Sequence, residues 1–590
     1  MRKSIFTFIG LVAIASVILV GCGTTEPQTT PPSDEAAEPT EEAMEAPETE
    51  VVYERSETFY MSGVAWGPVS DWNPFNSGTK ANSTGTVGFV YETLFHYDPL
   101  TGVLVPWLAE SGDWTDDTTY DLVLRDNLTW SDGEALTADD VKFTYEIGQL
   151  SDAIGFSRIW NYLDSVTAID DTHLQFKFTD PLYQEWTYFL YQDIPIVPEH
   201  LWADKTLDDY ISGVNENPIG SGAYLYETHS EDRNIWLRND NWWGKDVFGL
   251  PAPKRIVDIH FSSNSVALGA VIKGEVDLSN NFLPGVATLS DKKYIKTYYS
   301  GIPYMVAGNT AVLFLNTNKP PMDDPAFRRA LAFGIDAEAI ASVAYANLVS
   351  PASPSGLLPT LSQFDDPDVL AELGYSYDPA EAASILEAAG YTKGADGFYM
   401  TPEGEAIELE VTCPFGWTDW MEAINVIASS AQAAGFNIKA ETPEYNAWNS
   451  ALTSGTFDMT LNNWAGMSST PWTLYNLLFV HPIVETMNGG NFGRYENQEM
   501  FDLVDALAAV PVTDIDGMKA ACADIQELML TEMPMIPLWY NGLWAQYNDS
   551  VWTNWPAADA DSTALPVAYH SYWQMGGMKM LLELELAETE

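Results

Sequence analysis

The chain has 590 residues, 46% of them hydrophobic and 13% aromatic, a globular composition with room for more than one hydrophobic core. Its 26 basic and 84 acidic residues leave a net charge of −58, which excludes nucleic acid as a partner because so acidic a surface repels a polyanion. The 21 tryptophans, with 29 Tyr and 25 Phe, either fill cores or line a site, so their positions carry more information than their number.

Arg2 and Lys3 precede a mostly apolar run from Ile5 to Val20, the pattern of a signal peptide occupying residues 1–21. Its last residues, Leu19 to Cys22, resemble a bacterial lipobox, so Cys22 is expected to become the lipidated first residue of the mature chain. Residues 22–50 follow as a stalk rich in Pro, Thr, Ala and Glu. From Gly23 to Glu50 it carries nine acidic residues and no basic one, and it lacks the apolar surface to offset ordering entropy. Localisation on the outer face of the cytoplasmic membrane or in the periplasm follows, with the membrane touched through the lipid alone.

From Val51 the chain is globular. Thr119 to Leu124, His173 to Phe178, Asn234 to Arg238 and Arg255 to Phe261 read as strands. Thr137 with Asp140 resembles a capping box, with the Asp in place of the usual Glu, and the apolar Val141, Phe143 and Tyr145 follow in the helix it opens. Asp324-Pro325 and Asp378-Pro379 open two more helices, and Gly390 closes the second. Ile407 to Val411, Asp419 to Ala434 and Phe436 to Ala440 form a strand–helix–strand unit with Gly435 as the C-terminal cap, hence a parallel pair. Phe457 to Leu461 is a further strand, and the aromatic stretch from Pro534 to Trp544 follows.

Catalytic and metal motifs are scarce. The seven histidines stand at least 27 positions apart, which gives no histidine-built metal site. Gly244-Lys245 lacks the upstream glycine of a phosphate loop, and no Gly-x-Ser-x-Gly elbow occurs. Acidic doublets such as Asp116-Asp117, Asp170-Asp171 and Asp323-Asp324 read as turns and caps rather than as the acid/base pair of a glycosidase. Neither a cofactor nor an enzymatic reaction is expected.

Five segments taken together carry a family resemblance. They are Trp130 to Phe143 (WSDGEALTADDVKF), Pro218 to Tyr224 (PIGSGAY), Phe314 to Asn318 (FLNTN), Asp324 to Leu331 (DPAFRRAL) with Gly334 to Asp336, and Asp378-Pro379 through Gly390-Tyr391. In this order they resemble the family 5 extracytoplasmic solute-binding proteins, the oligopeptide, dipeptide, nickel and oligosaccharide receptors of ABC importers. The resemblance implies an α/β class II periplasmic-binding fold of two lobes and a hinge, with an extra N-terminal subdomain at about 100–220. Lobe I is expected over 51–304, lobe II over 305–533, and a return to lobe I over 534–590. It also implies a permease partner, a monomer and ligand capture by lobe closure.

Peptide receptors of this kind hold the ligand's amine with an aspartate in a Trp-x-x-Asp-Tyr-x-Asp segment. The matching stretch here, Asn462 to Trp472, departs from that pattern, with no acid between Asp458 and Glu485. Tryptophan beside asparagine suits a sugar instead, since rings stack on indoles and hydroxyls need groups that both donate and accept. The segments around Trp66 and Trp72-Asn73, Gly490 to Glu496, and Pro537 to Gln546 look like the family's cellobiose and β-oligosaccharide branch. The candidate ligand contacts are Trp66, Asn73, Asn281, Trp417, Asn462, Trp464, Trp472, Arg494, Tyr495, Trp539, Asn541 and Trp544. Trp107, Trp114, Trp130, Trp186 and Trp236 read as core. The ligand expected is a β-linked gluco- or manno-oligosaccharide, with a peptide as the alternative.

Overall fold

The computed structural model describes residues 53–63, 71–75, 85–290, 294–463, 466–567 and 572–588. The expectations placed on the leader, Cys22, the stalk, Trp66 and Trp464 lie outside these residues.

The strand β1 (Thr58–Ser62) is followed by a subdomain whose strands are β2 (Ala109–Asp116), β3 (Thr119–Leu124), β4 (Leu163–Ala168) and β5 (His173–Phe178). They pair antiparallel in the order β2-β3-β5-β4. Alternation dictates the buried face: Tyr120, Leu122 and Leu124 of β3 and Leu174, Phe176 and Phe178 of β5 all point inward. This unit also holds the helices α1 (Ala138–Ile147), α2 (Tyr183–Tyr191) and α3 (Leu207–Ser212). The capping box of Thr137 and Asp140 is formed on both sides, and Asp140 Oδ1 also accepts from the Glu199 N–H at 2.9 Å.

Next come β6 (Tyr224–Ser230), β7 (Arg233–Arg238), β8 (Arg255–Ile259), α4 (Asn264–Lys273), β9 (Leu278–Ser279) and β10 (Ile295–Thr297). The following part contains β11 (Ala307–Leu315), α5 (Pro325–Gly334), β12 (Ser350–Pro351), α6 (Pro379–Ala388), β13 (Leu409–Thr412), α7 (Thr418–Ala434), β14 (Ile438–Glu441), β15 (Met459–Asn462), α8 (Trp472–Leu478) and β16 (Met535–Gly542). The strand β17 (Gln546–Asn548) follows.

Two sheets organise these strands. The first, β10-β17-β9-β1-β8-β7-β6, is lobe I; the second, β12-β16-β11-β15-β13-β14, is lobe II. In lobe I, β1 runs parallel to both β8 and β9; in lobe II, β13 runs parallel to both β14 and β15. The chain passes from one sheet to the other between Thr297 and Ala307, and back between Gly542 and Gln546. The return therefore comes later than the aromatic run suggests: residues 535–542 belong to lobe II, because this apolar strand is a central one, paired with β11 along its length. Cys413 and Cys522 are both buried as free thiols.

The sequence motifs turn out to be joints. The Ser131 N–H donates to Gly220 O at 2.8 Å, tying the Trp130 motif to the Pro218 motif. Tyr391 Oη donates at 2.9 Å to Oδ2 of Asp324, whose Oδ1 caps α5, so the two Asp-Pro helices are locked together. Gly222 lies so close to the main chain of Phe89 and Val90 that a Cβ there would come within 1.9 Å of Phe89 O. Gly222→Ala is expected to lower unfolding stability by about 3 kcal/mol, measured by denaturant unfolding; an unchanged midpoint would show that the turn can move away at no cost.

Candidate functional site

In open α/β sheets a ligand binds beyond the carboxyl ends of the parallel strands. Here those ends face one another across the lobes. The loop after β8 approaches the loop after β13, where a Cβ on Gly416 would lie 3.5 Å from Ser262 O.

An aromatic wall runs along this junction. Trp544, on the segment between β16 and β17, stacks on Tyr345 with centroids 6.0 Å apart and an 8° angle between planes, and meets Phe282 of lobe I edge-on at 5.0 Å. Tyr345 also meets Trp539 of β16 at 5.4 Å, Trp539 meets Trp420 at 6.4 Å, and Trp420 meets Trp417 at 5.0 Å. Trp417 is half-buried and continues to Tyr445 and Trp448 at the outer end. Trp417 and Trp420 project together because they stand three residues apart at the start of α7.

Polar groups accompany the wall. Asn541 stands opposite Asn309 in the β11–β16 ladder, and its Oδ1 accepts from the Trp539 indole at 3.4 Å. Asn309 Oδ1 and Asn462 Nδ2 are buried without a hydrogen-bond partner, Asn462 being the last residue of β15. On the lobe I side, Asn281 Oδ1 accepts from Ser62 Oγ at 3.1 Å and Ser279 Oγ at 3.2 Å, while Asn280 Nδ2 donates to Trp544 O.

A polar bridge beside the wall spans the lobes. Asn264, the first residue of α4, donates through Nδ2 to Asp419 Oδ1 at 3.3 Å and to Thr418 Oγ1 at 3.4 Å. Tyr345 Oη donates to the other Asp419 oxygen at 3.2 Å. Burial pushes the Asp419 carboxyl up to about 6, against the lowering effect of these donors and of main-chain N–H groups at the start of α7. With both oxygens engaged, Asp419 has little capacity left for a ligand's ammonium group.

The remaining predicted contacts are placed elsewhere. Asn73 is fully buried, donating to the carbonyls of Asp209, Tyr210 and Gly213, so it pins its segment to the end of α3. Arg494 donates to Val484 O, Thr453 O and Glu485 O, and Tyr495 is buried against Phe479. Both adjoin Gly493, whose carbonyl accepts from Thr317 beyond the far end of β11, away from the cleft. Trp472 begins α8, where Arg158 and Tyr188 of the subdomain pack against its ring. These four belong to the framework because their polar atoms or ring faces are already spent on it. Tyr345, Trp420, Asp419, Asn264, Asn309 and Phe282 belong to the wall and its polar neighbours at the lobe junction, and the sequence did not single them out. The available signal was position alone: Asp419 and Trp420 open the helix that follows a parallel strand.

Residues 103–483 match the family described as bacterial extracellular solute-binding proteins, family 5. The chain belongs to this family. Its members are substrate-binding receptors of ABC importers, not enzymes. The family 5 chain is 24% identical over 504 residues to the peptide transport periplasmic protein SapA of Salmonella typhimurium, covering 80% of this chain and 85% of that one. It is 24% identical over 473 residues to the dipeptide-binding protein of Escherichia coli, covering 75% and 82%. Among solved structures it is similar to the mannohexaose-bound periplasmic oligopeptide-binding protein of an oligopeptide ABC transporter from Thermotoga maritima, with 41% identity, a TM-score of 0.87, and coverage of 91% of this chain and 100% of that one. No helix among the described residues is long and apolar enough to cross a membrane.

The raised Asp419 gives a signed pH effect. A carboxyl held above its ordinary range of about 4 contributes stability that is fully present below that range and lost as pH rises through about 6. Asp419→Asn keeps an acceptor for Asn264 and turns a donor toward the Tyr345 oxygen. Unfolding midpoints compared between pH 4.5 and 7.5 are expected to show the variant gaining on the parent as pH rises; a constant difference would mean that Asp419 titrates normally.

Proposed function

We propose that this receptor captures a β-linked gluco- or manno-oligosaccharide between its lobes and presents it to the permease of an ABC importer. The observation that carries the proposal is the aromatic wall from Trp544 to Trp417, with Asn281, Asn309, Asn462 and Asn541 beside it and the bridging carboxylate, Asp419, already engaged. Indole faces suit the C–H faces of sugar rings, and unspent amide atoms suit hydroxyls, directly or through water. The similar protein from Thermotoga maritima was solved with mannohexaose, which supports the same class of ligand here. Trp66 and Trp464 remain ligand candidates on sequence grounds.

Ligand that contacts both lobes favours the closed form through contacts absent in the open one. The chain then acts as a monomer held at the outer membrane face or in the periplasm by lipid on Cys22, with the acidic stalk as tether. The names of the curated relatives favour a second reading, a peptide ligand.

A thermal-shift screen of the soluble body against cello-, manno- and xylo-oligosaccharides and tri- to pentapeptides separates the two. Ligand at 100 times its dissociation constant adds about 2.7 kcal/mol of stability. A shift with β-oligosaccharides alone is expected, and the sugar is expected to be recovered uncut. A shift with peptides alone would overturn the sugar reading. Trp417→Ala, at the half-buried outer end of the wall, is expected to weaken oligosaccharide binding about tenfold by calorimetry, corresponding to roughly 1.4 kcal/mol for a lost stacking contact.

A further inference from the structure

Besides the aromatic wall, lobe I holds a second group of buried polar side chains at the end of β8. Asp258 and His260 are two residues apart at the end of β8, and so project to the same side of the sheet. Asn234 of β7 stands directly opposite Asp258 in the antiparallel ladder and shares that side. All three side chains are buried: Asp258 and Asn234 are 0% exposed and the His260 side chain 2%. His260 Nε2 lies 3.4 Å from Asp258 Oδ2 and 3.3 Å from the Asn234 amide.

Protons alone do not satisfy this arrangement. Both oxygens of Asp258, Nδ1 of His260 and Oδ1 of Asn234 are buried without a hydrogen-bond partner of ordinary geometry. If Nε2 carries a hydrogen, it meets the Asn234 N–H as donor against donor. If it does not, an ionised Asp258 faces a lone pair, and a protonated Asp258 that donates from Oδ2 to Nε2 still leaves its Oδ1, His260 Nδ1 and Asn234 Oδ1 alone. Turning the Asn234 amide over removes the first conflict but asks one N–H to serve two acceptors at long range, and still leaves an Asp258 oxygen alone. Burying such a carboxylate unpaired costs several kcal/mol.

We propose that Asp258, His260 and Asn234 form a binding site for a borderline divalent transition-metal ion such as Zn²⁺. With the amide turned so that Oδ1 faces inward, His260 Nε2 has one oxygen of Asp258 at 3.4 Å and the Asn234 oxygen at 3.3 Å, an imidazole nitrogen beside two oxygens. Separations of 3.3 and 3.4 Å match the edge of a tetrahedron whose centre is about 2.1 Å from each corner, the usual zinc-to-ligand distance. Imidazole with carboxylate selects zinc, cobalt or nickel over calcium. No three His, Cys, Asp or Glu gather among the described residues, so this site depends on the amide oxygen as its third ligand. The ion would fasten β7 to β8, and the assignment does not depend on which solute the cleft takes.

The test uses the soluble body, stripped with chelator and dialysed against Zn²⁺ or Co²⁺, with bound metal measured by mass spectrometry. One equivalent is expected for the parent, with a rise in thermal midpoint reversed by chelator, and none for Asp258→Asn or His260→Gln. Surface pairs such as His200 with Asp132 are retained in both variants and control for exposed histidines. Should either variant misfold, the Co²⁺ form of the parent still decides: intense visible bands of tetrahedral cobalt support the site. A parent that binds less than a tenth of an equivalent, or a His260→Gln variant that binds as much as the parent, would overturn it.

Discussion

The close pairing of two chain segments at the lobe boundary is the constraint from which the rest of the molecule follows. The residues before β11 and those after β16 travel together out of the lobe II sheet, with the Leu543 N–H donating to Val306 O at 2.7 Å. Gly308 sits so near Leu543 that a Cβ there would approach its Cβ to 2.9 Å. Two segments held this tightly behave as a narrow ribbon, which bends and twists more readily than either sheet. Lobe closure would concentrate where the ribbon passes, and the carboxyl ends of the parallel strands would be the surfaces that it brings together.

Much of the fold was legible because its signals are local. Thr137 with Asp140, and Asp324 and Asp378 before proline, mark helix starts through caps that need only a few consecutive residues. The alternation in Tyr120 to Leu124 and Leu174 to Phe178 marks two strands, and the structure has both, with Tyr120, Leu122, Leu124, Leu174, Phe176 and Phe178 buried. The strand β16 misled for a related reason: a run buried on both faces has no alternation, so nothing in it tells which of two sheets it joins.

The site was legible only in part, and the division follows from what an asparagine or arginine can be spent on. In sequence Asn73 and Asn541 look alike, each beside a tryptophan or one residue from it. In the fold, Asn73 gives its amide to three carbonyls, while Asn541 stands at the cleft and accepts only a long bond from its neighbouring indole. Arg494 was equally plausible as a ligand group until its donors were found on main-chain carbonyls. Tyr345, Asn264 and Asp419 were not found because what unites them is contact between segments far apart in the chain, on both sides of the lobe boundary.

Trp544 occupies the returning segment of the ribbon and is also part of the aromatic wall, its carbonyl bound by Asn280 and its ring stacked on Tyr345. Rotation about the ribbon would therefore change the shape of the wall, and any change in the wall would be felt at the pivot. In the proposed mode of binding, recognition and movement share one side chain. A lineage drifting toward a new nutrient by altering this wall would alter its opening and closing rates in the same step, so selectivity and transport rate in this receptor are expected to evolve as one trait.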